Sequence, residues 1–311
     1  MRTRIPPIIT LILLILSGCA SSRTYVNGRY RSWEAHAPPP DSALTYQAFL
    51  IGDAGGIDRP EPVIQLLETR LDSAGKNAVV VFLGDNIYCC GLRDSTDLQR
   101  RQKDERRLLE QLRAVDAFQG RVLFIPGNHD WNHSQPGGLE AVNRQEAFVE
   151  TYLHRGDTFL PNDGFPGPVE VELTDRLTLI ALDTEWWLST HTKPYGDTGE
   201  HDLEEDADFL LQLDDMLKRN RRKDVLVVGH HPLFSVGVHA GRLPLREHLF
   251  PLQNLHKALV VPLPLLGSIY PLYVRYFGGR QDLAHPRYKT LRSSLRRIFS
   301  QHDHLIYAAG H

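Results

Sequence analysis

Four short apolar runs along the chain each end at a glycine that is followed by polar side chains. The runs are 49–51 before Gly52, 79–83 before Gly84, 122–125 before Pro126-Gly127, and 225–228 before Gly229. Runs this short and this rich in β-branched and aromatic residues are typical of strands buried on both faces, as in a parallel sheet. Because open α/β sheets bind ligands at the carboxyl ends of their strands, the polar residues after these runs are the first candidates for chemistry.

Amphipathic patterns between the runs predict helices over about 60–72, 96–118, 140–153 and 203–219. The basic cluster within 100–107 is interpreted as the solvated face of the second helix. Alternating segments at 169–173 and 177–183 predict an antiparallel hairpin, and 305–308 predicts a last strand. The antiparallel strands argue against a plain doubly wound sheet. The predicted fold class is therefore α/β (α+β), with a two-layer sandwich of mixed sheets flanked by helices.

The stretch from about 241 to 300 is the least regular part of the chain. Residues 259–277 are apolar and aromatic, but three prolines and Arg275 interrupt them, which argues against a membrane-spanning helix. We interpret the stretch first as an ordinary packed insertion. The alternative is a hydrophobic flap near the site that contacts lipid, substrate or a partner.

The N-terminus carries a pattern of its own. Arg2 and Arg4 precede the apolar stretch 5–16, which is too short to span a bilayer but typical of a secretory signal. Leu16-Ser17-Gly18-Cys19 resembles the lipobox of bacterial lipoproteins, whose cysteine receives a lipid. A plain signal peptide, or a buried helix with a chance cysteine, is the alternative interpretation. We expect 1–18 to be a signal peptide, Cys19 a lipidation site, 19–44 a polar tether and 45–311 the folded domain.

This N-terminus predicts a chain anchored by its lipid in the bacterial cell envelope, and Ala20 favours the outer membrane, on its periplasmic or surface face. The overall composition, with 41% apolar and 23% charged residues, is typical of a globular protein with a sizeable core. The net charge of −3 gives no indication of nucleic acid as a partner. Adjacent cysteines close only a strained ring, so the state of Cys89 and Cys90 is left open.

The strand-end residues share one kind of chemistry, because Asp, Asn, His and Tyr offer oxygen and imidazole ligands to hard or borderline metal ions. Two such ions about 3.5–4 Å apart stabilise the attacking and leaving oxygens of a displacement at phosphorus. The chain has no GxxxxGK loop and no GxSxG turn, so a nucleotide-cradling ATPase and a serine esterase both lose support.

The blocks GDAG, GDNIY, GNHD and GHHP, followed by a final GH, resemble the ordered motifs of the calcineurin-like metallophosphoesterases. More narrowly they resemble the purple acid (tartrate-resistant) phosphatases, over roughly 45–240 plus the last strand. The resemblance implies the metallo-dependent phosphatase fold and two metal ions, Fe(III) with Fe(II), Zn or Mn. It implies an acid phosphatase-like enzyme that hydrolyses phosphate monoesters, on small molecules or proteins, by attack of metal-bound hydroxide.

The resemblance also implies roles for individual residues. Asp85 resembles the bridging ligand, and the others divide between the trivalent ion (Asp53, Tyr88) and the divalent ion (Asn128, His230, His311). His129 and His239 resemble the catalytic histidines that contact the phosphate. Adjacent side chains on a strand point to opposite faces, so His231 instead of His230 remains an alternative. Asp130 and Asp183 are expected to orient ligands through hydrogen bonds.

Two departures from the family pattern affect these expectations. The last motif of the family continues to a second histidine beyond His311, so the chain is expected to be C-terminally incomplete at its final metal-binding motif. The long stretch after His239 resembles bacterial members, which leaves open an outer-membrane partner or a fused barrel in a longer protein. A phosphodiesterase or nucleotide pyrophosphatase on the same metal core, and a non-catalytic surface or assembly module that retains the fold, remain alternative functions.

Overall fold

The structure is a computed structural model that describes residues 43–56, 61–197 and 202–311. The chain divides into two units, 1–45 and 46–311. The predicted signal peptide, the lipidation site at Cys19 and almost all of the tether lie outside the described residues. The strands and helices described below belong to the second unit.

Two larger sheets form the centre of the second unit, as the alternating and continuous apolar runs predict. The first is parallel, in the order β1 (Gln47–Ile51), β2 (Ala78–Phe82) and β3 (Arg121–Phe124). The second has the order β4 (Val169–Glu172), β5 (Leu177–Ala181), β8 (Asp224–Val228) and β9 (Leu305–Ala308). Only β4 runs antiparallel to its neighbour, so the second sheet is mixed. The strands β6 (Gly196–Asp197) and β7 (Asp202–Leu203) pair antiparallel as a separate two-stranded sheet.

The core explains why β2 is apolar at every position. Its five residues are all buried, and alternate side chains enter two different apolar clusters. Val79 and Val81 pack with residues of the second sheet such as Leu179. Val80 and Phe82 pack on the opposite side, among residues of the helices. The two sheets therefore form the inner layers of a sandwich, and helices cover the outer faces, which confirms the predicted fold class.

All four predicted helices form, with shifted ends. The eight helices of the described residues are α1 (Pro62–Ala74), α2 (Leu98–Arg113), α3 (Gly138–Leu153), α4 (Thr184–Leu188), α5 (Asp206–Arg219), α6 (Leu245–Leu249), α7 (Ile269–Tyr276) and α8 (Pro286–Phe299). Helix α5 begins three residues later than predicted because Glu205 and Asp208 form a capping box there. Helix α8, which buries Tyr288, Leu291 and Leu295, lies in the stretch whose pattern predicted no element.

The interpretation of 100–107 as a solvated face is wrong at Asp104. This carboxylate is fully buried and pairs with Arg93, whose Nη1 lies 2.8 Å and 3.0 Å from its two oxygens. Arg107 approaches the same carboxylate at 3.7 Å. Arg93 belongs to the loop before α2, and the helical pattern of α2 alone gives no signal of that partner.

The irregular stretch 241–300 packs as helices α6, α7 and α8 with short turns between them. Among the described residues, no helix is both long enough and apolar enough to cross a membrane.

Candidate metal centre

The polar residues that follow five strands meet at one edge of the sandwich. The first sheet brings Asp53, Asp85 and Asn128 to this edge, and the second brings His230 and His311. Ligand atoms of Asp53, Asp85 and His230 all lie within 4.8 Å of one another, and those of His230, His231 and His311 form a second such group. His230 belongs to both groups, so the candidate ligands form one continuous cluster. The structure thus brings together all the strand-end residues selected from the sequence.

Glycines allow the loops to approach this closely. A Cβ on Gly84 would lie 2.6 Å from Nδ1 of His230, and one on Gly127 would lie 2.4 Å from the Asp85 carboxylate. Gly84 also has a positive φ of 90°, a backbone conformation that residues with a side chain rarely adopt. The glycine before each of these two polar blocks is therefore required by close contact between loops from different strands.

Asp85 lies at the middle of the cluster and is almost completely buried. Its Oδ1 accepts a hydrogen bond from the backbone N–H of His129 at 2.9 Å and lies 3.4 Å from Nε2 of His230. Burial raises the pKa of this carboxyl, but the neighbouring His230 and His129 outweigh burial and hold the pKa below its ordinary value. Asp85 is therefore a carboxylate with neighbours on both sides, as a bridging ligand requires.

Tyr88 lies on the Asp53 side of the cluster. Its hydroxyl donates a hydrogen bond of 2.7 Å to Oδ1 of Asp53. Burial, together with Asp85 and Asp53, raises the pKa of the phenol far above its ordinary value, and burial also raises the pKa of Asp53. A highly charged cation would reverse both effects, since it favours the deprotonated forms.

His230 and His231 differ in what their rings contact. Nε2 of His230 lies 3.1 Å from Oδ1 of Asn128, and its Nδ1 is held by the Leu83 carbonyl at 2.8 Å. The nitrogens of His231 instead contact Thr184 at 2.7 Å and Gln281 at 2.6 Å. The structure therefore directs His230, rather than its neighbour, to Asp85 and Asn128.

His311 and His239 lie on the side of the ligand cluster that the second sheet supplies. The His311 ring lies 5.1 Å from that of His230 and 4.3 Å from that of His239. His239 is half-exposed, and its Nδ1 lies 2.8 Å from Oδ1 of Asp282. It therefore borders the cluster from the solvent side, as expected for a histidine that contacts substrate.

His129 stands over Asp85 on the other side. Its ring is 4.1 Å from that of Tyr88, and its Nδ1 contacts the carbonyl of Cys89 at 2.8 Å. The structure joins Cys89 to Cys90 in a disulfide, which resolves the state that the sequence left open. Nε2 of His129 lies 3.8 Å from Oδ2 of Asp85, so this histidine faces the region where the candidate ligands converge.

The cluster fits a pair of metal ions. Carboxylate, amide, phenol and imidazole groups are donors that hard and borderline cations accept. The fit rests on His311 as well, because its Nε2 is buried and, within the described part of the chain, has no hydrogen-bond partner. Burial and the nearby His230 and His239 lower the pKa of His311 to about 3, so the ring is a neutral donor. The assignment of each ligand to one ion stays a prediction.

Comparison with known proteins gives the same assignment of family. The model of the calcineurin-like phosphoesterase family matches residues 48–261. The chain belongs to this family. Its members use a dinuclear metal site, and the structure has two groups of residues that could hold a metal ion.

Other comparisons add little. No curated protein matches the chain. Among solved structures it is similar to a protein described as "GAP50 the anchor in the inner membrane complex of Plasmodium", with 17% sequence identity and a TM-score of 0.34. That match covers 61% of this chain and 56% of the other, so the chain spans little more than half the length of that protein.

Asp130 and Asp183 hold the loops of the candidate metal centre in place. Asp130 is fully buried and accepts hydrogen bonds from the backbone N–H groups of Gly127 at 2.8 Å and of Asn86 at 3.1 Å. It thereby ties the loop after β2 to the loop after β3. Asp183 accepts from Trp131 Nε1 at 2.6 Å and caps α4. Both therefore hold loops through hydrogen bonds, and that they orient metal ligands stays a prediction.

Sequence reasoning missed a buried polar network behind His231. Glu185 is fully buried and accepts hydrogen bonds from Ser134 and, at 2.9 Å, from Gln281. Burial raises its pKa to about 8, and its Oε2 lies 3.5 Å from Nε2 of His231. Glu185 follows β5 at the same sheet edge as the other polar blocks, and this position is a signal that could have found it. Gln281 comes from the irregular stretch, where the sequence gives no signal.

Proposed function

We propose that this phosphoesterase is a dinuclear-metal phosphomonoesterase of the acid phosphatase type. The observation that carries the proposal is the convergence of Asp53, Asp85 and His230 within 4.8 Å, with the phenol of Tyr88 hydrogen-bonded to Asp53. One carboxylate and one phenol on one side of Asp85, and imidazoles with an amide on the other, suit one trivalent and one divalent ion. Iron at the first position, with iron, zinc or manganese at the second, is part of this proposal.

The residues divide by position. Asp53 and Tyr88 would hold one ion, Asn128, His230 and His311 the other, and Asp85 would be shared. When bound, such a pair supplies Lewis acidity and activates water at neutral pH. Because Nδ1 of His129 donates to the Cys89 carbonyl in this assignment, Nε2 is the atom that exchanges a proton with the leaving oxygen. Burial lowers the pKa of His129, and Asp85, whose Oδ2 lies 3.8 Å from Nε2, opposes this in part.

Hydrolysis of an aryl phosphate by a longer chain that continues past His311, loaded with iron and zinc or manganese, tests this proposal. We expect turnover that falls by more than about 100-fold in Asp85→Ala, since a shared ligand holds both ions. The matched control is Asp116→Asn, an exposed carboxylate that contacts Tyr152 and should keep its activity.

Two outcomes would contradict the proposal. Faster hydrolysis of a phosphodiester or a dinucleotide than of the monoester would indicate the second enzyme class. Stoichiometric metal binding without turnover of any ester would indicate a non-catalytic module that retains the fold.

Lipid anchoring at Cys19 and placement in the bacterial cell envelope are part of the same proposal. The support is the sequence pattern of residues 1–19. Expression in a bacterium should give a lipid-modified N-terminus by mass spectrometry, and Cys19→Ser should lack the modification. An unmodified parent chain in the membrane fraction would contradict this part.

A further inference from the structure

Helix α7 presents apolar side chains on the side that faces solvent. Only Pro271 and Val274 of this helix are buried. The outward positions hold tyrosines and aliphatic residues, with Tyr273 52% exposed and the following Phe277 67% exposed. A surface helix ordinarily places polar residues outward, so the composition of this face indicates a partner.

The apolar exposure extends beyond the helix. Of the 24 large hydrophobic residues that are exposed in the described part of the chain, 16 lie between Phe234 and Phe277. We define the apolar patch as residues 255–277. Its exposed members are Leu255, Leu259, Val260, Val261, Leu265, Leu266, Ile269, Tyr270, Leu272, Tyr273, Tyr276 and Phe277. The elements that carry it contact one another, because α7 packs against α6 and against the turn Leu266–Ser268.

The charge around the patch is positive, although the whole chain is negative. Residues 241–280 contain five cations, Arg242, Arg246, Lys257, Arg275 and Arg280, and only one carboxylate, that of Glu247. The first four cations are exposed, and none forms an ion pair with a residue that the structure describes. An apolar and aromatic surface with unpaired cations beside it has the composition of a face that lies on an anionic bilayer.

Size excludes a spanning arrangement for this face. Helix α7 has eight residues, about 12 Å at 1.5 Å per residue, whereas a bilayer core is about 30 Å thick. Tyrosine is enriched at the membrane interface, where its ring is buried and its hydroxyl stays hydrated. The exposed tyrosines of α7 therefore suit contact with the headgroup region.

We propose that the apolar patch binds the surface of an anionic lipid bilayer, with the aromatic face of α7 inserted and the cations of 242–275 against the headgroups. The surface lies next to the metal centre. The turn Val238–Ala240 contacts α7 and carries His239, whose ring is 4.3 Å from that of His311. The proposal does not depend on which ester the centre hydrolyses.

Tryptophan quenching by brominated lipids tests the proposal on the full chain. The probe is Tyr273→Trp, and vesicles contain phosphatidylcholine and phosphatidylglycerol with brominated acyl chains. The chain has four tryptophans of its own, among them Trp33 in the predicted tether. Because bromine quenches only over a short range, insertion of α7 is measured by the quenching that Tyr273→Trp adds to that of the parent chain. We expect quenching at least about twofold stronger than in the control Leu211→Trp, and weaker at high salt.

Leu211 is a suitable control because it is exposed to a similar degree, 62%, and lies on α5, which packs against α8. Equal quenching of the two probes, or none, would overturn the proposal. Quenching unchanged in Arg242→Gln/Arg246→Gln/Lys257→Gln would overturn the electrostatic part. The patch would instead join two copies of the chain if the parent forms dimers that Tyr273→Glu dissociates, and if Tyr273→Trp shows no quenching.

Discussion

His230 and His231 are neighbours in the sequence but have different surroundings. His230 reaches Asn128 at 3.1 Å and Asp85 at 3.4 Å, while both ring nitrogens of His231 are engaged by Thr184 and Gln281. Both rings are buried. At the residue scale, the same side chain therefore serves either as a candidate ligand or as part of a structural network, and its partners decide which.

The first prediction separates these two roles. His230→Ala should weaken metal binding by more than about 100-fold, because it removes a ligand atom rather than an outer partner. His231→Asn should retain metal affinity and lose thermal stability, since it disturbs a buried network. Metal titration and thermal unfolding of both variants check this. Strong metal binding by His230→Ala together with weak binding by His231→Asn would reverse the assignment.

Tyr88 allows a spectroscopic test. If its phenolate binds ferric iron, the iron-loaded chain should show a visible charge-transfer band that Tyr88→Phe removes. The matched variant Tyr195→Phe removes a phenol that donates to Asp206 instead, and its spectrum should equal that of the parent. A band that persists in Tyr88→Phe would exclude the phenolate as a ligand.

Glu146 gives a prediction about pH. Burial raises its pKa to about 7, and the nearby Asp163 carboxylate adds to this although the Asp163 N–H opposes it. The pKa of Glu146 in the folded chain exceeds the unfolded value of 4.5. The protonated carboxyl therefore makes its full contribution to the free energy of unfolding below pH 4.5, and this contribution is lost as the pH rises through 7.

The free energy of unfolding of Glu146→Gln, measured relative to that of the parent, should therefore be about 1 kcal/mol higher at pH 8 than at pH 5. This value is reduced to allow for the partial exposure of Glu146. Urea unfolding at the two pH values measures the difference. Glu140→Gln, on the same helix, serves as the control. A gain that is equal at both pH values would show that ionisation of Glu146 is not the cause.

Helix α2 is held in place by a residue, Asp104, that its helical pattern predicts to be exposed. Its charged face predicts solvent contact, yet Asp104 is buried against Arg93 of the preceding loop. Arg93 also contacts Sγ of Cys89 at 3.2 Å. The pair therefore joins α2 to the loop that leaves the metal centre, and the element depends on a contact outside its own sequence.

Asp104→Asn should destabilise the chain by about 2 kcal/mol, because Arg93 would lose a carboxylate that accepts two hydrogen bonds. Burial raises the pKa of Asp104 in spite of Arg93 and Arg107, so the cost of burying the charge offsets part of this loss. Asp97→Asn on the first turn of the same helix should cost less than about 1 kcal/mol, since asparagine also caps a helix. Urea denaturation of the two variants gives the comparison. Equal losses would show that the buried pair contributes no more than a surface one.

At the scale of the whole molecule, the metal centre lies across the two sheets. Asp53, Asp85 and Asn128 come from the first sheet, and His230 and His311 from the second. Ions bound there link the two layers of the sandwich. Metal binding should therefore stabilise the entire second unit and not only the loops.

Removal of metal with a chelator should lower Tm by about 10 °C, which corresponds to roughly 4 kcal/mol at a metal concentration about 1,000 times Kd. Asp85→Asn should show almost no metal-dependent shift. Calorimetry with and without metal measures both. A shift of the same size in Asp85→Asn would place the stabilising ions elsewhere.

The sequence by itself determined the strands and most of the site. Apolar runs closed by glycine identify strands locally, and parallel strands bring their carboxyl ends to one edge. This is why Asp53, Asp85, Asn128 and the adjacent pair His230 and His231 could be selected together from the sequence alone. The last strand, 305–308, was likewise predicted with its observed bounds, because a short apolar run that ends near a glycine is a local signal.

Only the tertiary structure decided which of two adjacent histidines faces Asp85, where Asp104 and Glu185 find their partners, and that Asp282 holds His239. Each depends on residues far apart in sequence, such as His231 and Gln281, whose contact no local pattern encodes. The outward face of α7 belongs to the same class. Its apolar residues are typical of a core in the sequence, and only the packing of the fold leaves them exposed.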